Sequence, residues 1–228
     1  METIVHPYWQ PLYDSFDCRR NPEKAKWGKA YMRDQYDMFG LTAPVRTEVF
    51  RLFVMENGFP EIQILDKVIK NAWELPVREM QYAAMELLFR MRKNTDLQIL
   101  GLYEWLISHK SWWDTVDYIS PNLIGNFFIK FPETRDETVE KWMSSSNFWL
   151  QRSCLLFQLK YKLKTDSVLL FGLCGRLATE KEFFIRKAIG WSLREFAKTN
   201  PVAVKDFVNK TTLSGLSRRE ALKHFPKE

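Results

Sequence analysis

The feature that most constrains the fold is a repeated apolar pattern. Met80-Gln81-Tyr82-Ala83-Ala84, Leu150-Gln151-Arg152-Ser153-Cys154 and Ile185-Arg186-Lys187-Ala188-Ile189 match one another at offsets of 70 and 35 residues. A step of 35 residues places Thr115-Val116-Asp117-Tyr118-Ile119 in the same frame, and one step back from Met80 gives Val45-Arg46-Thr47-Glu48-Val49. Ala84, Ile119, Cys154 and Ile189 form one apolar column, and Met91, Tyr161 and Phe196 form a second that Asn126 interrupts. Aromatic residues at Trp113, Phe148 and Phe183 keep the same step. Stacked helical pairs of this length bury a continuous core, which predicts an α-solenoid whose inner helices line a concave surface. The spacing is also close to a whole number of helical turns, so chance alignment within a helical protein is the competing explanation.

Local signals agree with an all-α class. Strand-like alternation is nearly absent, whereas helix starts recur. Asn21-Pro22 pairs an N-cap with a proline at the first helical position, Thr42-Ala43-Pro44 does the same, and Pro76 precedes VREMQYAAMELLFRMRK. Breaks fall near Gly40, Gly58-Phe59-Pro60, Asn94-Thr95, Pro132 and Asn200-Pro201. These divide the chain into about a dozen helices of roughly 10 to 18 residues. No Gly/Ser-rich, Pro-rich or charge-block linker interrupts it, so all 228 residues read as a single domain.

Charge and composition narrow the partner. A net charge of +6 favours polyanions, and nine tryptophans supply planes that pack a core or stack on bases and sugars. Cys18, Cys154 and Cys174 have no CxxC spacing and read as reduced thiols. His6, His109 and His224 lie far apart, so neither a metal nor another cofactor is expected. The N-terminus lacks the pattern of a signal peptide and no long apolar run is present, which predicts a cytoplasmic protein without a membrane span.

In the 35-residue frame one column reads Thr47, Tyr82, Asp117, Arg152 and Lys187. Facing the concave side, it would be a row of DNA contacts, joined by Lys160, Lys162, Arg186 and Arg194. The alternative is that these are solvated charges on exposed helix turns. Asp117 stands out, because a carboxylate opposite a polyanion repels it unless charge is needed at one atom. Trp113 lies one turn before Asp117, and Trp191 lies between Lys187 and Arg194. Two aromatic planes and an anion could surround a sugar or a cationic base. Burial in the core for each tryptophan, and an ion pair with Arg152 for Asp117, are readings the sequence leaves open.

Three stretches, HKSWWDTVDYISP from His109, SSNFWLQRSCLLFQLKYK from Ser145 and TEKEFFIRKAIGWSLREFAKTNP from Thr179, closely resemble bacterial DNA alkylation repair glycosylases of the AlkD family. A looser likeness extends over nearly the whole chain. The resemblance implies a solenoid of about six HEAT-like repeats with a basic concave surface. It implies hydrolysis of the N-glycosidic bond of purines alkylated at N3 or N7, such as 3-methyladenine and 7-methylguanine, in double-stranded DNA. It further implies action by a monomer in a bacterial cytoplasm on a lesion left stacked in the duplex. Within the motifs, Trp113, Asp117 and Trp191 take the catalytic positions and Arg152 a DNA-contacting one. Lys160, Lys187, Arg194, Tyr82 and Thr47 complete the expected interface. The competing class is a non-catalytic helical-repeat scaffold that binds DNA or protein.

Overall fold

The computed structural model describes residues 4–225, and among these the only regular secondary structure is helical apart from one isolated bridge between Asp37 and Val77. The all-α class expected from the sequence is the class observed. Tertiary contacts group the chain into two compact units, Met1–Asp96 and Leu97–Glu228.

The first unit contains α1 (Gln10–Asp17), α2 (Pro22–Tyr31), α3 (Ala43–Asn57), α4 (Leu65–Glu74) and α5 (Arg78–Met91). The Asn21 side chain caps α2 by accepting from the Lys24 amide, with Pro22 at the first helical position. Gly58, with φ of 69°, stops α3 in a backbone conformation that side chains disfavour. Trp9, Leu12, Phe16, Phe53, Val68, Ile69 and Trp73 fill the core, and the buried Trp9 indole donates to the Val68 carbonyl at 2.7 Å. Glu79, at the start of α5, is fully buried. Its carboxylate accepts from the Phe39, Gly40 and Leu41 amides at 3.0, 2.8 and 3.2 Å, which satisfies the charge and ties the loop before α3 to α5.

The second unit contains α6 (Ile99–Ser108), α7 (Trp113–Ile119), α8 (Gly125–Lys130), α9 (Arg135–Met143), α10 (Phe148–Leu156), α11 (Ser167–Arg176), α12 (Phe183–Ala197), α13 (Pro201–Lys210) and α14 (Gly215–Ala221). Several helices are shorter than the 10 to 18 residues expected: α7 and α14 have 7 and α8 has 6, whereas α3 and α12 reach 15. Pro121 explains part of this. It lacks the amide that an α-helical turn needs, and Ser120–Ile124 accommodates it as a π-helical segment between α7 and α8. There the Gly125 amide bonds the Ser120 carbonyl.

The 35-residue step recurs in the helix starts. The N-cap residues of α3, α5, α7, α10 and α12 are Thr42, Val77, Trp112, Asn147 and Glu182, each 35 after the last. Thr47, Tyr82, Asp117, Arg152 and Lys187 therefore all occupy the fifth position of their helices.

Candidate active site

Asp117 and Arg152 meet within the second unit. Helix α10 packs on α7, and the two helices approach through small side chains: the Ser120 hydroxyl donates to Val116 O and lies 3.0 Å from the Ser153 hydroxyl. One residue from Ser153, the Arg152 guanidinium forms a two-pronged pair with Asp117, Nε to Oδ1 at 2.8 Å and Nη2 to Oδ2 at 2.9 Å. Its Nη1 donates to the Phe184 carbonyl at the first turn of α12. The Arg152 side chain is 4% exposed and that of Asp117 is 16% exposed. A guanidinium this enclosed and this fully committed faces the carboxylate, with its fork turned away from solvent.

An aromatic cluster reaches the pair through Phe184. The Phe184 ring lies 5.9 Å from the guanidinium carbon of Arg152, edge-on to Trp112 and tilted on Trp149. Phe148 lies parallel to Phe184 at a centroid distance of 6.4 Å. The Trp112 indole N–H is buried without a hydrogen-bond partner among the described residues. This apolar setting pushes the Asp117 carboxyl above its ordinary value, chiefly through burial. The hydrogen bonds and charge of Arg152 oppose that shift, and the Asp114 carboxylate reinforces it.

Trp113 opens α7 and is half-buried, one turn before Asp117. Trp191, also half-buried, sits on α12 between two cations that share one acid. Lys187 Nζ is 3.0 Å from Glu220 Oε1, and Arg194 Nη1 is 2.6 Å from Glu220 Oε2. The hydrogen bond from Lys187, helped by Arg194, holds the Glu220 carboxyl below its ordinary value against the opposing effect of burial. Lys160 donates to Asn122 Oδ1 at 2.6 Å, and Asn122 in turn donates to Tyr118 O at 2.8 Å. Lys160 is thereby tied to the π segment. Tyr161 reaches the same stretch through a 2.7 Å bond to Gly125 O.

Two residues of the predicted row belong to the first unit. Thr47 is exposed on α3, and Tyr82 is half-buried with the Arg46 guanidinium 4.6 Å from its ring centre. The row is thus represented by a surface hydroxyl and a cation-capped ring there, and by an ion pair and a cation in the second unit.

Sequence reasoning missed several participants. Phe184 follows Trp149 by the repeat step of 35 and was available as an aromatic column. Glu220 lies outside the aligned copies, in a basic stretch that hides a lone acid. Asn122 and the π segment carry no periodic signal.

A cavity of about 360 Å³ in the second unit is lined by Leu155, Leu159, Lys162, Thr165, Phe196 and Lys198 among others. Neither Asp117, Trp113 nor Trp191 borders it. Among the described residues, no cluster of three His, Cys, Asp or Glu side chains is placed to hold a metal ion, and no helix is long and apolar enough to cross a membrane. Cys154 and Cys174 are buried free thiols, and Cys18 is an exposed one.

A family model described as DNA alkylation repair enzyme matches residues 14–225. A solved structure described as a predicted DNA alkylation repair enzyme from Enterococcus faecalis is 32% identical, covers 92% of this chain and 98% of its own, and superposes with a TM-score of 0.85. No functionally curated protein matches the chain.

Proposed function

The chain belongs to the DNA alkylation repair enzyme family, and on that premise we propose that it is an N-glycosylase releasing N3- and N7-alkylated purines from double-stranded DNA. The observation that carries this reading is Asp117: a largely buried carboxylate fixed in orientation by Arg152, on the same helical position that carries Lys187 two repeat steps on.

A purine alkylated at N3 or N7 already bears positive charge. It departs as a neutral base, taking the bonding electron pair, without a strong general acid. Positive charge then develops on the deoxyribose, water adds at the anomeric carbon, and its proton passes to solvent. Asp117 stabilises that charge or orients the water. A carboxylate offers about four lone-pair directions, and Arg152 occupies two of them, which leaves acceptor capacity for the substrate. Low local dielectric strengthens the interaction.

In this reading Arg152 is a positioning residue for Asp117. The phosphate-contacting role expected for it passes to Lys187, Arg194 and Lys160, with Tyr82 and Thr47 extending the contacts. Trp113 and Trp191 present ring faces to sugar and backbone. The lesion is processed while it stays stacked in the duplex, without extrusion into an enclosed pocket. The protein acts as a monomer in a bacterial cytoplasm, with neither metal nor other cofactor.

The two-pronged bond of Arg152 to Asp117 across two helices favours a second reading, a non-catalytic scaffold in which the pair only joins helices. Incubation with methylated duplex DNA separates the two. Release of free 3-methyladenine or 7-methylguanine supports the glycosylase; salt-sensitive duplex binding without base release supports the scaffold.

A further inference from the structure

Helix α14 approaches α12 unusually closely, and Gly190 permits it. A Cβ at Gly190 would lie 2.4 Å from the Cβ of Glu220 and 2.9 Å from the Ser217 carbonyl. The Ser217 hydroxyl fastens the contact by donating to Arg186 O at 3.0 Å. Glu220 is thereby held against the α12 face that carries Lys187, Trp191 and Arg194 at successive turns. Arg194 Nη1 bonds both the Glu220 backbone carbonyl at 3.2 Å and its carboxylate at 2.6 Å.

The three charged side chains differ in access: Lys187 is 38% exposed, Arg194 20% and Glu220 16%. The acid is the least exposed of the three. Each cation keeps N–H groups that bond no described residue: two on Lys187 Nζ, and the Nε and Nη2 groups of Arg194. A long lysine or arginine otherwise loses substantial rotamer freedom when it grips a phosphate. Here that freedom is already restricted, at the cost of one unit of positive charge on a surface meant for a polyanion.

We propose that Glu220 is a positioning residue of the DNA-contacting face: it holds Lys187 and Arg194 as a preset pair of phosphate contacts flanking Trp191, giving up duplex affinity for a fixed docking register. This rests on the glycosylase reading for its effect on excision, and stands independently for its effect on binding. Removing an acid that only stabilised the fold would lower stability and leave the signs of the two DNA effects unconnected. A positioning acid makes binding and excision move in opposite directions.

The test compares wild type with Glu220→Gln, which keeps shape and removes charge, and with Glu195→Gln, whose partner is the surface residue Lys198 at 2.6 Å. Affinity for an undamaged duplex is measured over a salt series, and single-turnover release of 7-methylguanine is measured at saturating protein. For Glu220→Gln we expect duplex binding about 3 to 10-fold tighter at low salt and a salt slope steeper by about one unit, as one added effective positive charge requires. The single-turnover rate should fall about 3 to 10-fold, the smaller end of effects from lost orientation, while Glu195→Gln changes neither. Weaker binding, or an unchanged salt slope, overturns the proposal; tighter binding with an undiminished single-turnover rate overturns the positioning role. If wild type releases no base at all, the glycosylase reading fails, and the salt series alone decides whether Glu220 restrains the two cations.

Discussion

Replacing Arg152 with methionine keeps an unbranched apolar stem of similar reach and deletes the guanidinium. The removed group is 4% exposed and makes both hydrogen bonds to a carboxylate that is itself 16% exposed. The pair is therefore near the buried limit, where stripping away one partner typically costs about 3 to 5 kcal/mol because the other charge is left uncompensated. The residual opening at Asp117 admits water, which places the expectation near the lower end, about 3 kcal/mol. For a chain of this size that corresponds to a fall in Tm of roughly 6 to 12 °C. The double variant Arg152→Met/Asp117→Asn leaves no buried charge and should recover at least about half of the loss, a coupling that a thermodynamic cycle isolates. Thermal unfolding followed by circular dichroism provides the readout. An Arg152→Met protein melting within about 1 °C of wild type would show that the pair behaves as a surface ion pair and is not held in a buried setting.

Other outcomes follow from the same geometry. Because burial holds the Asp117 carboxyl above its ordinary value, its proton is bound more tightly than usual, so excision is full above that raised value and is lost as pH falls through it. Asp114→Asn removes a charge that raises the value and should move the acid limb of the pH–rate profile to lower pH; a limb that stays in place contradicts the assignment to Asp117. Gly190→Ala forces a Cβ to within 2.4 Å of Glu220 Cβ and should destabilise by about 1 to 3 kcal/mol in thermal melts. Gly172→Ala, on the exposed face of α11 with open space around its Cβ, should instead stabilise by up to about 1 kcal/mol, and equal melting of the two variants would contradict the close α12–α14 approach.

How far the sequence carried the account depends on what kind of signal each feature leaves. The 35-residue step was legible because burial repeats one apolar pattern, and it placed equivalent stretches within α3, α5, α7, α10 and α12 and the common position of Asp117, Arg152 and Lys187. Capping chemistry made Asn21, Gly58 and the Asn200-Pro201 start of α13 visible, because such ends are decided within a few residues. The effect of Pro121 was not legible: it leaves α7 to run on through a π segment toward α8, a detail that depends on packing and carries no periodic signal. The charge partners were hidden. A long basic side chain on a helix reads the same whether it meets solvent, a carboxylate or a phosphate, so the sequence left the Arg152–Asp117 pair as one alternative, while Lys160 with Asn122 and Glu220 with Lys187 and Arg194 appear only once helices distant in sequence are packed together.

The central claim is that the Asp117 carboxylate acts on the sugar of an already cationic nucleotide. The most direct measurement is single-turnover release of 7-methylguanine from duplex DNA by wild type and Asp117→Asn, with duplex affinity recorded for both. The rate should be lower by about 10 to 1000-fold in the variant, as expected when one electrostatic contributor to the transition state is removed, with binding retained. An Asp117→Asn protein that excises as fast as wild type would contradict it.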